Sequence, residues 1–252
     1  MNQIQAIILA AGQGTRMNHS ELPKVLVPLS GRPIISYVLD TLHQVGVANP
    51  VIVIKYKADL VRQTLGLQQY VEQDERSGTG AAAQAAATML GDIDGLIYIT
   101  NGDCPCFSKK TYQLLAEAMT DKGIAVTLAT SEVQSVDERY GRVLRKEDGS
   151  VERIVEYKDA TEAERQVREY NAGLYLVRSP WIWQALERIQ PSGVTGEYYL
   201  TDIVSLAIDD GFKVAAVPVA QPSDAHGINT PEELAVAEKL LKERGQSVHI
   251  AI

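Results

Sequence analysis

The sequence is poor in the features that mark secreted and membrane proteins. Its 252 residues include only two cysteines, Cys104 and Cys106, which are too close together for easy bridging and have no histidine beside them. We therefore expect both to be reduced, small buried residues and not metal ligands. No apolar run approaches the roughly 18 residues of a membrane-spanning helix, and no basic segment precedes the first apolar strand, as a signal peptide requires. We expect a cytoplasmic protein with no membrane partner.

Positive charge is also scarce. The chain has 24 lysines and arginines against 32 aspartates and glutamates, a net charge of −8. A surface of this sign repels nucleic acids, so we expect no nucleic-acid partner, and any anionic ligand must be bound by cations placed locally. There are no internal repeats or low-complexity tracts, and the length fits one large α/β domain or two small ones. The oligomeric state stays open.

A glycine-rich turn follows the first predicted strand. Residues 4–10 form an apolar strand that leads into Gly12 and Gly14, and Arg16 and Lys24 come soon after. Such a turn brings backbone N–H groups and cations up to a polyphosphate. It is not a Walker A loop, since no Lys-Ser or Lys-Thr pair follows the second glycine, and the third glycine of a dinucleotide-binding fingerprint is missing. An ordinary turn with two solvated cations is the alternative.

The rest of the chain alternates predicted strands and helices. The strands lie at 51–54, 95–100 and 124–130, and the helices at 33–45, 80–91 and 111–119. This alternation predicts an α/β fold with a doubly wound, mostly parallel sheet and a nucleotide at the carboxyl ends of its strands. Three later predicted strands, 142–145, 151–156 and 170–177, indicate a small inserted β-rich subdomain. Thr230, Pro231 and Glu233 have the spacing of a capping box that begins the last helix.

A second motif follows the strand that ends at Thr100. Asn101-Gly102-Asp103 places a carboxylate at the end of a buried strand, where it can hold a divalent metal. Asn229 is the candidate second ligand, because magnesium takes few protein ligands beside water and phosphate oxygens. The alternatives are that Asp103 caps a turn and that Asn229 only precedes the helix.

Two further groups of polar residues predict binding sites for a nucleotide base and for a sugar. Gln73 lies four residues before the Ser-Gly-Thr-Gly run 77–80, and its amide can donate and accept hydrogen bonds at a uracil edge. A polar turn at the start of a helix is the alternative. Glu156 and Asn171 suit the hydroxyl groups of a sugar, and the tyrosines at 198–199 offer ring faces, although tyrosines more often serve packing.

Taken in order, these motifs resemble those of sugar-phosphate nucleotidyltransferases, and most closely the uridyltransferase half of the bifunctional enzymes that make UDP-N-acetylglucosamine. The resemblance runs from Ile7 to about Glu238. It implies magnesium-dependent transfer of a uridylyl group from UTP to N-acetylglucosamine 1-phosphate, with release of pyrophosphate. The implied substrate-binding residues are Leu9, Ala10, Ala11, Gly12, Gln73, Gly78, Thr79, Asn101, Gly102, Gly141, Glu156, Asn171, Tyr199 and Asn229. Arg16, Lys24 and Asp103 are implied as catalytic, and Asp103 and Asn229 as magnesium ligands.

Three positions depart from that family's pattern. Ala81 stands where the family usually has histidine, Asn101 where tyrosine is common, and Ala172 where threonine is usual. The choice of sugar is therefore open, and transfer from UTP or dTTP to glucose 1-phosphate is the nearest alternative. A non-catalytic nucleotide-sugar sensor is the more distant one, although both cations and the aspartate are retained.

The resemblance also implies a domain organisation. We expect a nucleotidyltransferase domain over residues 1–245, with a nucleotide-binding half at 1–135 and a sugar-binding half at 136–230. Residues 246–252 form a tail. We expect no hexapeptide-repeat acetyltransferase domain within these residues.

Overall fold

One mixed sheet of nine strands organises the part of the chain that the structure, a computed structural model, describes: residues 3–17, 21–136 and 138–245. The strands in chain order are β1 (Gln3–Leu9), β2 (Pro28–Leu29), β3 (Arg32–Pro33), β4 (Val51–Ile54), β5 (Gln69–Glu72), β6 (Gly95–Asn101), β7 (Ile124–Glu132), β8 (Arg142–Arg145), β9 (Val151–Val155), β10 (Glu169–Ser179) and β11 (Lys213–Pro218). Of these, β2 and β3 form a separate ribbon.

Helices connect most of these strands. They are α1 (Ile34–Gln44), α2 (Ala58–Leu65), α3 (Thr79–Ala85), α4 (Ala87–Leu90), α5 (Lys109–Ala118), α6 (Glu162–Arg165), α7 (Trp181–Arg188), α8 (Ile203–Asp209) and α9 (Pro231–Glu243). Short 3-10 turns lie at Thr15–Met17, Lys24–Leu26, Leu200–Asp202 and Pro222–Ala225. No helix in the described ranges is both long enough and apolar enough to cross a membrane. The predicted tail, 246–252, lies outside the described residues.

The sheet is mostly parallel, with one long antiparallel strand at its centre. Its order is β11-β7-β10-β6-β1-β4-β5. Strand β1 is parallel to β4 and β6, β4 to β5, and β7 to β11, whereas β10 is antiparallel to both of its neighbours, β6 and β7. The predicted α/β fold is confirmed. The direction of β10 could not be deduced, because a strand buried on both faces has a continuous apolar sequence in either direction.

Of the three strands predicted for the β-rich insertion, the first two form a hairpin, β8 and β9, that extends the main sheet, but the third is β10, which lies within the main sheet between β6 and β7. Strands β8 and β9 pair with each other, and Arg142 of β8 pairs with Tyr170 of β10. The register of β10 on β7 shifts between Asn171 and Tyr175. Gly173, inside this irregularity, has a φ of +86°, a conformation that favours glycine. The irregularity redirects the side chains of β10 at the point where the hairpin joins the sheet.

Helices cover both faces of the sheet, so two apolar cores flank it. Ile8 of β1 packs in the core that includes Leu42 of α1, and the neighbouring Ile7 packs in the core that includes Ala83 of α3 and Ile203 of α8. Successive residues of one strand therefore serve opposite cores. The carboxyl ends of β1 and β6 emerge between the helical layers, at the edge where α/β proteins place their ligands.

The local patterns of the sequence are mostly confirmed. Thr230 and Glu233 form the reciprocal capping box of α9, with Pro231 in its first turn. Cys104 and Cys106 are buried and free. The predicted alanine-rich helix is wrong in one respect: it divides into α3 and α4, where the N–H of Ala86 bonds to a carbonyl three residues back instead of four.

Candidate active site

Two adjoining pockets open at the carboxyl ends of β1 and β6. The glycine-loop pocket, of about 440 Å³, is lined by Leu9, Ala10, Ala11, Gly12, Arg16, Lys24, Gln73, Gly78 and Thr79, among others. The hairpin pocket, of about 370 Å³, lies beside β8 and β9 and is lined by Gly141, Glu156, Asn171 and Ala172, among others. Both are lined by Leu9, Arg16, Thr79, Asn101, Asp103 and Asn229, which define the junction of the pockets together with Lys24, a glycine-loop pocket residue that contacts Asp103 and Asn229.

The junction gathers the four charged and amide side chains that the sequence assigns to phosphates and metal. The ammonium group of Lys24 forms an ion pair with the Asp103 carboxylate and donates a hydrogen bond of 3.0 Å to Asn229 Oδ1. Arg16 donates to the same oxygen at 3.1 Å. The side chains of Lys24 and Asp103 are only 14% and 18% exposed, so this ion pair is largely desolvated, whereas Arg16 is exposed.

The ammonium group of Lys24 thus contacts a carboxylate oxygen of Asp103 and the amide oxygen of Asn229, the two groups predicted to bind a metal. One carboxylate oxygen and one amide oxygen converge within reach of a single cationic atom. Hard oxygen donors of this kind suit magnesium, which completes its coordination with water and phosphate oxygens. The residues present therefore fit a magnesium ion, and Lys24 and that ion would compete for the same two atoms.

Backbone hydrogen bonds fix the two oxygen ligands relative to each other. The N–H of Ile228 donates to the carbonyl of Asp103 at 2.9 Å. The N–H of Asn229 donates to the Glu233 carboxylate at 2.5 Å, and Glu233 also accepts from the N–H of Thr230. The capping box of α9 therefore does more than begin a helix, because it holds Asn229 opposite Asp103.

Glycine is required where the glycine-rich turn after β1 packs against Lys24. Gly14 has a φ of +68°, and a Cβ built there would lie 2.4 Å from Cβ of Lys24. Gly102 is also a packing position, since a Cβ there would lie 3.0 Å from Val25. It lines neither pocket, and its N–H bonds to the carbonyl of Leu9 at 2.9 Å. The structure therefore places Gly102 behind the junction.

The segment predicted to face the base is joined to the residues before α8. The N–H of Tyr198 donates to the backbone carbonyl of Ser77, and the N–H of Gly80 donates to the backbone carbonyl of Tyr198. Gly78 has a φ of +107°, and a Cβ there would lie 2.3 Å from the carbonyl oxygen of Tyr198. Gln73 uses its amide nitrogen within the same loop, donating to the carbonyls of Arg76 at 2.8 Å and Gly78 at 3.2 Å.

The hairpin pocket ends in a half-buried polar group around Glu156. Thr201 donates to the Glu156 carboxylate at 3.1 Å. Burial raises the pKa of Glu156, the hydrogen bond from Thr201 opposes that rise, and the nearby Asp202 and Asp159 add to it. A half-buried carboxylate with so few donors is suited to accept hydrogen bonds from hydroxyl groups. Thr201, two residues after Tyr199, was not among the residues predicted for the site.

Asn171 is oriented by its own strand. Its amide nitrogen donates to the hydroxyl of Tyr175 at 2.6 Å, and its amide oxygen accepts from the N–H of Gly173 at 3.1 Å. The backbone N–H of Asn171 bonds to the carbonyl of Gly141 at 2.9 Å. One N–H and one lone pair of the amide are left for a ligand. Tyr175 was missed because its contact depends on the irregularity in β10.

The remaining predicted residues lie in different places. Asn101 lines both pockets, and its amide nitrogen would be only 2.6 Å from a Cβ at Gly173. Tyr199 lines neither pocket, and its hydroxyl bonds to Thr195 at 2.6 Å. Ala81 is 3% exposed and also lines neither pocket. Of the three departures from the family pattern, Asn101 and Ala172 therefore face the site and Ala81 does not.

The chain is similar in sequence to curated bifunctional proteins of bacteria. The bifunctional protein GlmU of Brevibacillus brevis is 39% identical over 251 residues, which are 99% of this chain and 54% of that protein. The GlmU of Geobacter metallireducens is 39% identical over 247 residues, 97% of this chain and 52% of that protein. The chain spans about half the length of these curated relatives.

The fold also has a solved counterpart. The crystal structure of a UDP-glucose pyrophosphorylase complexed with UDP-glucose matches with a TM-score of 0.73 at 18% identity, covering 97% of this chain and all of that one. At that identity the match shows a shared fold. The family described as the MobA-like NTP transferase domain matches residues 6–190, which include the glycine-rich turn, Lys24 and Asp103. The chain therefore belongs to the MobA-like NTP transferase family and is a nucleotidyltransferase.

Proposed function

We propose that this chain transfers a uridylyl group from UTP to N-acetylglucosamine 1-phosphate, giving UDP-N-acetylglucosamine and pyrophosphate. The observation that supports it most is the junction, where Arg16, Lys24, Asp103 and Asn229 converge between two pockets. The motif resemblance supports the choice of substrates. We assign the nucleotide to the glycine-loop pocket and the sugar to the hairpin pocket. Most of the glycine-loop pocket would then come from residues 1–135, and most of the hairpin pocket from residues 136–230. We further propose that the enzyme is cytosolic.

Asp103 and Asn229 would hold the magnesium ion. When bound, magnesium would neutralise charge on the phosphate oxygens. The nucleophile is an oxygen of the sugar phosphate, which is already an anion, so no general base is required. A bond forms from this oxygen to the α-phosphorus of UTP, the bond to the bridging oxygen of the β-phosphate breaks, and pyrophosphate leaves with the electron pair. Catalysis then depends on position and on charge.

Arg16 and Lys24 supply the positive charge of the protein at the junction. At present Lys24 is paired with Asp103, and Arg16 donates to Asn229. Guanidinium and ammonium groups stabilise the negative charge that shifts onto the departing pyrophosphate in the transition state, and donors that are positioned in advance contribute most. We propose that each cation exchanges its present partner for an oxygen of the triphosphate.

The sugar would be held by Glu156 and Asn171. The half-buried Glu156 carboxylate can accept hydrogen bonds from hydroxyl groups, and the amide of Asn171 offers one N–H and one lone pair. Asn101 and Ala172 are small side chains facing the pockets, which leaves more room around the sugar than the tyrosine and threonine common in the resembling family. We therefore expect N-acetylglucosamine 1-phosphate to be used, with glucose 1-phosphate as the main competitor.

A pyrophosphate-release assay over a matrix of substrates tests this proposal. Each of UTP, dTTP, CTP, ATP and GTP is combined with N-acetylglucosamine 1-phosphate and with glucose 1-phosphate, with magnesium and with excess EDTA. We expect the highest kcat/KM for UTP with N-acetylglucosamine 1-phosphate and no release in EDTA. A higher kcat/KM for glucose 1-phosphate would contradict the sugar assignment. Tight UTP binding without release from any pair would instead favour the sensor.

A further inference from the structure

Arg142, at the start of β8, is a buried cation that is held by carbonyl groups. It is 0% exposed. Its guanidinium donates to the carbonyl of Tyr140 at 2.7 Å, of Glu138 at 2.8 Å and of Val136 at 2.9 Å. Its Nε donates to the carbonyl of Arg165 at 3.4 Å. No ion pair within the described residues includes Arg142.

This arrangement is unusual for a buried charge. Burial lowers the pKa of Arg142, and a carboxylate partner is the usual compensation. The nearby carboxylate of Glu138 is used otherwise, because it accepts from the N–H groups of Gln134 and Ser135 at 2.6 Å and 2.7 Å. The ring of Tyr157 lies 5.5 Å from the guanidinium carbon. Neutral backbone carbonyls therefore accept the hydrogen bonds of the charged Arg142 guanidinium. Because the guanidinium is planar, its N–H groups fix the directions in which these carbonyls must lie.

Two of those carbonyls, of Glu138 and Tyr140, belong to the segment that forms a wall of the hairpin pocket. Glu138, Arg139, Tyr140 and Gly141 all line that pocket. The ring of Tyr140 stacks on Tyr170 with 4.5 Å between centroids. A Cβ at Gly141 would lie 3.4 Å from both carboxylate oxygens of Glu156. A small shift of this backbone would therefore change the space beside the group assigned to the sugar.

We propose that Arg142 is a positioning residue for the sugar phosphate, and that its guanidinium holds residues 138–141 as a wall of the hairpin pocket. This inference rests on the proposed function, because it assigns the sugar phosphate to that pocket. Arg142 lines neither pocket itself. None of residues 138–141 lines the glycine-loop pocket, so the effect of Arg142 is confined to one substrate.

The test compares Arg142→Met and Arg142→Lys with the wild type and with Arg145→Met. Methionine keeps much of the side-chain volume without any donor, whereas lysine keeps the charge with fewer and differently directed donors. Arg145 is the matched control, because it lies on the same strand and pairs with Glu169 away from both pockets. Steady-state kinetics give separate KM values for UTP and for the sugar phosphate. Hydrogen exchange of the protein without substrate measures how well the backbone amides of residues 138–141 are protected.

For Arg142→Met we expect the KM of the sugar phosphate to rise at least tenfold, the KM of UTP to stay within twofold, and exchange at 138–141 to rise. For Arg142→Lys, the KM of the sugar phosphate and the exchange at 138–141 should lie between those of Arg142→Met and the wild type. For Arg145→Met, both should equal the wild-type values. An unchanged sugar-phosphate KM, or an equal rise for UTP, would overturn the inference. Failure of both Arg142 variants to fold would also overturn it, since Arg142 would then serve general stability. Absence of turnover in the wild type would instead refute the proposed function.

Discussion

Removing the ammonium group of Lys24 should tighten the binding of a divalent cation to the protein without nucleotide. Lys24 holds one oxygen of Asp103 and the side-chain oxygen of Asn229, which are the two oxygens that fit magnesium. A cation that binds there must first displace Lys24. In Lys24→Met that displacement is no longer needed, and the competing positive charge is gone.

The size of this effect follows from the interaction that is lost. A hydrogen bond to a charged group contributes about 1.5–3 kcal/mol, and the low exposure of both side chains, 14% and 18%, limits screening by solvent. Since 1.4 kcal/mol is a factor of about ten in affinity, Lys24→Met should bind the cation roughly 10- to 100-fold more tightly. Its turnover should fall all the same, because a cation that stabilises the leaving pyrophosphate is missing.

Titration with Mn²⁺ as the probe, followed by electron paramagnetic resonance of the free ion, measures this affinity directly. Arg16→Met is the first control, because Arg16 touches only one of the two oxygens, and it should show a smaller gain. Lys55→Met is the second control. Lys55 lines the glycine-loop pocket but donates to the carbonyl of Asp74, and its loss should leave the affinity unchanged. Equal or weaker Mn²⁺ binding by Lys24→Met would refute the reasoning.

Three further predictions concern the base, the sugar and the fold. The amide nitrogen of Gln73 donates to two loop carbonyls, which leaves its amide oxygen to accept from a base. An acceptor suits the N3–H of uracil and not the bare N3 of cytosine, so competition kinetics should favour UTP over CTP by about 100-fold or more. Equal kcat/KM values for UTP and CTP would exclude this assignment of Gln73. Asn101→Tyr should sharpen the preference for N-acetylglucosamine 1-phosphate over glucose 1-phosphate by about 1–3 kcal/mol, measured with both sugars in competition, and an unchanged ratio would show that position 101 does not read the sugar. Gly78→Ala should destabilise the protein by more than about 2 kcal/mol in urea unfolding, because its Cβ meets Tyr198. Gly66→Ala, also at positive φ but in open space, should cost less than Gly78→Ala, because only the backbone conformation is strained, and equal losses would refute the packing argument.

Features carried by neighbouring residues could be predicted from the sequence. The turn after β1, the aspartate after β6 and the capping box of α9 each depend on a few consecutive residues whose conformations have strong local causes. Parallel strands then bring these segments to one edge of the sheet. That is why Arg16, Lys24, Asp103 and Asn229 were predicted together and lie together.

Features that depend on distant contacts could not be predicted in the same way. The direction of β10 leaves no local trace, and the hydrogen bond from Asn171 to Tyr175 needs the irregularity within that strand. The role of Arg142 depends on carbonyl groups, which every residue has and no motif marks. The competition at Lys24 also appears only in three dimensions, since the sequence presents a lysine and an aspartate 79 positions apart.

The central claim is that the junction catalyses uridylyl transfer, and ³¹P NMR of the complete reaction tests it most directly. Wild-type protein, Asp103→Ala and Asp59→Ala are each incubated with UTP, N-acetylglucosamine 1-phosphate and millimolar magnesium. Asp59 is the control because its side chain is 92% exposed on α2 and lines neither pocket. We expect UDP-N-acetylglucosamine and pyrophosphate in equal amounts from the wild type and Asp59→Ala, and a rate at least about 10³-fold lower from a folded Asp103→Ala. Product formation by Asp103→Ala within tenfold of the wild-type rate would contradict the account.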